Sequence, residues 1–202
     1  MSYYPQGFLR KNNKRTVKAF ESGSPVKFIL TFLSLFVAFY YFNILFFGLT
    51  SQGNHYNAFL DQHFNYIRAL RHLLLGTTGH ILNLLGYTAI TSDTELLVSG
   101  HGRIQLVYSC LGLGVMSFFT AFIIAYPKRL KTKLIFLICG LIVIQVLNIA
   151  RFVLLALFWQ STRGIILDHH TIFNIIIYII IAISLYFWIK HDDRLPAAHA
   201  KN

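Results

Sequence analysis

The chain has 202 residues, of which 55% are hydrophobic, 16% aromatic and only 12% charged, with a formal net charge of +11. Soluble domains carry about a quarter of their residues charged, so the deficit excludes an ordinary water-soluble fold and sets much of the surface against lipid. The basic excess sits in clusters beside apolar runs, the pattern of a cytoplasmic-side bias in a membrane protein rather than of a nucleic-acid surface.

Residues 1–25 form a polar segment carrying Arg10, Lys11, Lys14, Arg15 and Lys18. It is too long and too basic for a cleaved signal peptide, so the first apolar run reads as a retained signal-anchor. About 20 apolar residues cross a bilayer as a helix, and four runs meet that test: 26–49, 110–126, 134–158 and 171–189. Tyr126, Trp159 and Trp188 suit the interface belt at their ends.

Three basic clusters flank these runs: the N-terminal one, ending at Lys27, then Lys128, Arg129, Lys131 and Lys133, then Lys190, Arg194 and Lys201. All three are expected in the cytoplasm. Segment 50–108 must then begin and end outside. Arg68, Arg71, His72 and His80 interrupt its helical stretch, as in an interfacial or re-entrant helix. Residues 73–90 carry no charge and are long enough to cross, so a full crossing stays open. Residues 94–107 have the pattern of a β-hairpin turning at Ser99-Gly100-His101-Gly102.

The expected fold is an all-α polytopic membrane protein. It has about four transmembrane helices, an interfacial or re-entrant helix and a short extracytoplasmic β-hairpin. Residues 1–25 and 190–202 are cytoplasmic, and 26–189 form the membrane-embedded domain.

In this topology Cys110 lies at the outer start of its span, where a helix N-terminus favours a thiolate. Thr171 opens the last span, so His169 and His170 lie at the same outer edge. Arg151 is 18 residues beyond Lys133, a rise of roughly 27 Å toward the outside. A charged residue inside a span costs about 2.5–3.5 kcal/mol and usually faces a functional interior. Asn148, three residues earlier, shares its helix face. A thiol, a guanidinium and an imidazole at one depth are the minimum set for acyl transfer by a cysteine enzyme. Cys139, in the middle of its span, reads as a small core residue, and two cysteines in separate spans argue against a disulfide.

Three segments then carry a resemblance: Tyr108-Ser109-Cys110-Leu111-Gly112-Leu113-Gly114, Asn148-Ile149-Ala150-Arg151 and His169-His170-Thr171-Ile172-Phe173-Asn174. In order and spacing they resemble the exosortase/archaeosortase family of membrane transpeptidases, in a compact form similar to Bacteroidetes-type members. The resemblance implies Cys110 as nucleophile, Arg151 as its arginine and His170 as the third residue, with Asn148, His169 and Asn174 in support. It implies no metal or cofactor. The implied substrates are secreted proteins with a C-terminal sorting signal, a short motif followed by a transmembrane helix and a basic tail. They are cut at the outer face of the inner membrane and passed to water or another acceptor nucleophile. Larger members have about eight spans, so an oligomer or a partner could complete the substrate groove.

Two other readings compete. Val98-Ser99-Gly100-His101 resembles the Pro-Ser-Gly-His motif of membrane lipid-phosphate phosphatases, and Arg163 precedes His169 by six residues. However, no Lys-x6-Arg-Pro lies upstream, and Phe173 stands where an aspartate would orient the histidine. A non-catalytic transport or assembly protein also accounts for an intramembrane arginine. The nine histidines contain no His-Glu-x-x-His pattern of a zinc peptidase.

Overall fold

A computed structural model describes residues 25–51, 56–158 and 169–191, with the backbone alone for 169–172, 174 and 191. Helix α1, Pro25–Thr50, opens on a proline, whose fixed φ suits a first helical position. One face exposes Val26, Ile29, Leu30, Leu33 and Val37, while Phe28, Phe32 and Phe36 on the other pack against Phe118 and Phe122. The exposed face is that of a helix solvated by lipid. A short helix α2, Ala58–Phe64, is capped by the Asn57 side chain. Helix α3, Tyr66–Leu84, is capped by Asn65, which accepts from the Arg68 amide at 2.8 Å.

Helix α3 buries Ile67, Leu74, Leu75, Thr78 and Leu82, a stripe spaced by three, four and seven residues, and it packs against helix α5, Leu130–Phe158. The hairpin expected over 94–107 is present as β2, Glu95–Val98, and β3, Gly102–Gln105. It belongs to a three-stranded antiparallel sheet in the order β1-β2-β3, with β1 at Ala89–Thr91. The sheet turns Leu96 and Val98 inward and leaves Ile90 and Leu97 exposed. It lies close on α3, where a Cβ added to Gly79 would stand 2.8 Å from the Thr91 methyl.

After β3 come a 3₁₀ turn, Tyr108–Leu111, and helix α4, Leu113–Ala125. Helix α6 is His169–His191. Among the described residues, two helices, α1 and α5, are long and apolar enough to cross a membrane by length and composition; α4 and the Ile175–Lys190 part of α6 are shorter apolar helices. The run 110–126, expected as one span, is thus divided. Its first residues are spent in the 3₁₀ turn, and the helix starts only after the left-handed Gly112.

The bundle has two distinct ends. At one, Phe28 meets Phe122 and Tyr126 edge-on, Tyr126 packs on Trp188, and Lys128 Nζ lies 4.4 Å from the Trp188 ring. Lys128 also donates to the Trp188 and Ile189 carbonyls. Basic residues from α1, the α4–α5 loop and α6 therefore share this end. At the other end the sheet, the Phe47–Tyr108 ring pair at 4.6 Å and Cys110 come together. Cys139, expected in the core, is exposed on α5.

Candidate active site at the sheet end of the bundle

Past β3 the backbone keeps a strand-like alternation: Ile104, Leu106, Tyr108 and Cys110 turn inward while Arg103, Gln105, Val107 and Ser109 are exposed. Val107 is still extended, with φ −82° and ψ 161°. The 3₁₀ turn then swings Cys110 under the sheet, and its amide donates to the Val107 carbonyl at 2.9 Å. Gly112 ends the turn at φ +74°, a left-handed conformation that glycine adopts without strain. Its missing side chain leaves room for Asn148, since a Cβ there would stand 2.5 Å from Asn148 Nδ2.

Helix α5 supplies the opposite wall. Arg151 Nη2 lies 3.6 Å from Cys110 Sγ, with Cys110 3% and Arg151 2% exposed. The guanidinium carbon is 5.7 Å from the Phe152 ring centre. One turn earlier Asn148, 1% exposed, donates to the Leu111 carbonyl at 3.5 Å and to Gln145 Oε1 at 3.3 Å. Gln145 in turn donates to Met116 Sδ at 2.7 Å. Leu111, Asn148 and Gln145 thus tie the cysteine turn to the arginine helix.

A cavity of about 100 Å³ opens beside this pair, lined by Ser109, Gly112, Asn148 and Arg151 on one side and by Ile177 and Tyr178 of α6 on the other. It is large enough for a few water molecules or a small side chain. On helix α6, His170 stands seven residues, about two helical turns, before Ile177. The side chains of His169, His170 and Asn174 lie outside the described residues.

The structure therefore brings Cys110, Arg151 and Asn148 together. Cys110 lies in the 3₁₀ turn, two residues ahead of Gly112, and not in the first turn of α4. Gln145 was missed from the sequence; its signal was an amide three residues before Asn148 in an otherwise apolar run. A second polar ladder was missed for the same reason. Tyr66 Oη donates to Asn43 Oδ1 at 2.6 Å, and Asn43 Nδ2 donates to Ser117 Oγ at 3.1 Å, joining α3, α1 and α4.

The model of the transmembrane exosortase family matches residues 14–187. The chain belongs to that family. No curated protein and no solved structure matches it. The matched stretch includes all three segments that meet, or lead toward, the cavity of this exosortase.

The phosphatase-like Ser99-Gly100-His101 of this exosortase is the tight turn of the β2–β3 hairpin. There His101 Nδ1 lies 3.3 Å from the Ser99 carbonyl, and its ring packs edge-on against Tyr87 at 5.0 Å. Arg163, the other half of that motif, lies outside the described residues. Among the described residues, no three His, Cys, Asp or Glu side chains gather as a metal site.

Proposed function

We propose that this exosortase is a membrane-embedded cysteine peptidase or transpeptidase that cleaves the C-terminal sorting signals of secreted proteins at the outer face of the inner membrane. The observation that carries the reading is the 3.6 Å approach of Arg151 to Cys110, both buried beside a cavity. A soft nucleophile and a planar donor fork at one point are what acyl transfer requires.

In this mechanism Cys110 attacks the scissile carbonyl as the thiolate, its proton having passed to His170. Arg151 stands beside the charge on sulfur and then donates to the oxygen of the tetrahedral intermediate. His170 returns the proton to the leaving amine, which departs with the substrate's transmembrane helix and basic tail. The thioester left on Cys110 is resolved by water or by an amine acceptor. His170 is the better base of the adjacent pair: its register repeats at Asn174, Ile177 and Ile181, and Ile177 and Ile181 are buried. The register of His169 repeats at Ile176, which is 46% exposed. The outward placement of the site rests on the positive-inside rule, because Lys27, Lys128 and Lys190 share the opposite end of the bundle.

The test is genetic and biochemical. Cells carrying Cys110→Ala should accumulate a secreted protein that keeps its C-terminal helix and stays membrane-bound, while Cys139→Ala cells process it fully. Normal processing by Cys110→Ala would end the cysteine mechanism.

A further inference from the structure

The sheet beside Cys110 has two edges, and the chain treats them differently. Backbone bonds fix the parity of each strand. Ser92 N donates to the Glu95 carbonyl and Ser99 N to the Thr88 carbonyl, so residues 88, 90 and 92 face β2 while Ala89 and Thr91 face outward. That outer edge is closed at Ala89, whose amide donates to Asn83 Oδ1 at 2.8 Å and whose carbonyl accepts from Asn83 Nδ2 at 3.4 Å.

On the other side, Leu106 N donates to the Thr94 carbonyl at 2.8 Å, so residues 102, 104 and 106 face β2. The amides and carbonyls of Arg103 and Gln105 therefore point away from the sheet. Both residues are exposed, and among the described residues no strand pairs with β3 on that side. Natural sheets cover or blunt such edges, because a free row of donors and acceptors recruits another strand.

The open edge also leads somewhere. Alternation continues from β3 through the extended Val107 into the cysteine turn, with Gln105 five residues ahead of Cys110. At about 3.3 Å per residue, that is at most about 17 Å of chain. A peptide laid along β3 reaches the thiol within about five of its own residues. A scissile bond must be presented in an extended conformation and held without moving, and main-chain pairing provides this for many sequences at once.

We propose that the free edge of β3 is the substrate-binding edge of this enzyme. The extended segment of the secreted protein adjoining its C-terminal helix adds as a fourth strand, bonding to the backbones of Arg103 and Gln105. This rests on the peptidase reading above and names how that peptidase holds its substrate. Specificity then falls on side chains beside the exposed Arg103 and Gln105, and on whichever residue enters the cavity beside Cys110.

The probe is the precursor that accumulates in Cys110→Ala cells, identified first by mass spectrometry. If Cys110→Ala cells accumulate none, the peptidase reading fails before the edge is tested. In the otherwise native chain, Gln105→Pro removes an amide from the outer edge and leaves the bonds between β2 and β3 intact, because proline is tolerated where the amide faces out. The expected result is a parental membrane level and parental alkylation of Cys110 by iodoacetamide, with precursor processing slowed by roughly tenfold, the loss of one backbone hydrogen bond. Parental processing overturns the proposal.

A second measurement stands if the proline variant does not fold. In a Cys110→Ala, Cys139→Ala background, Gln105→Cys is oxidised against single cysteines placed along the precursor ahead of its helix. Side chains opposite one another on paired strands lie about 5 Å apart on the same face. Disulfides should form at alternate precursor positions. No precursor disulfides, a pattern without period two, or disulfides only between two copies of the enzyme would each overturn it.

Discussion

Replacing Gly112 with alanine tests whether the cysteine turn and the arginine helix are one assembly. The new Cβ stands 2.5 Å from Asn148 Nδ2, whereas ordinary contact begins near 3.4 Å. The amide must retreat by almost an ångström or the turn must shift. A non-glycine residue at φ +74° adds about 1–2 kcal/mol of backbone strain. The expected cost to stability is about 1–3 kcal/mol. The cost to activity is larger in proportion, because a 1 Å misplacement at a reacting group can cost on the order of 100-fold. Purified Gly112→Ala in detergent should unfold at a lower temperature than the parent, and cells carrying it should hold mostly unprocessed precursor. The double variant Gly112→Ala, Asn148→Ala separates the two terms. Removing the amide relieves the clash and leaves the strain, so its stability should lie above the sum of the single effects. Strict additivity, or full processing by Gly112→Ala, would refute the coupling.

Arg151→Lys keeps the charge and loses the planar fork. It should reach the membrane normally yet process the precursor at least about 100-fold more slowly, the scale of losing an oxyanion donor. Parental activity would leave Arg151 with a purely electrostatic role. For topology, single cysteines replacing Gln105 and Lys131 in a cysteine-free variant are exposed to a membrane-impermeant maleimide on intact cells; Gln105→Cys should label and Lys131→Cys should not. The reverse would put the site in the cytoplasm. His170→Ala should abolish processing and His169→Ala should spare most of it, at equal membrane levels. Full processing by both would remove histidine from the mechanism.

Much of the site was legible because polar groups are scarce in this chain. An arginine and an asparagine inside an apolar run stand out, since burying each is expensive without a partner, and Cys110 stands out by its place at the start of another run. The partners themselves were harder to read. Gln145 and the ladder from Tyr66 through Asn43 to Ser117 become visible only when helices are placed side by side. Cys139 was read as a core residue and is exposed, because an apolar outer face costs nothing against lipid and hydropathy alone cannot tell in from out. The split of 110–126 was hidden likewise: hydropathy runs straight through Gly112, and only its positive φ divides the turn from α4. The third strand, Ala89–Thr91, is too short to show a period of its own and is held by β2 and by Asn83.

The geometry also explains why an arginine is tolerated at this depth. Holding it in a span costs about 2.5–3.5 kcal/mol. A full negative charge about 4 Å away returns on the order of 4 kcal/mol at an effective dielectric near 20, and a neutral thiol returns only a fraction of that. In the proposed mechanism the charge carried by Cys110 Sγ as it attacks lies 3.6 Å from Arg151 Nη2, so one contact both holds the buried arginine and steadies the nucleophile. Removing one member then leaves the other charge less well compensated, an effect that in buried pairs is strongly destabilising. Arg151→Met and Cys110→Ala should each lower the unfolding temperature, and the double variant should recover part of the loss. If the two losses simply add, the contact carries no charge pairing, and the reactivity of Cys110 must come from substrate binding instead.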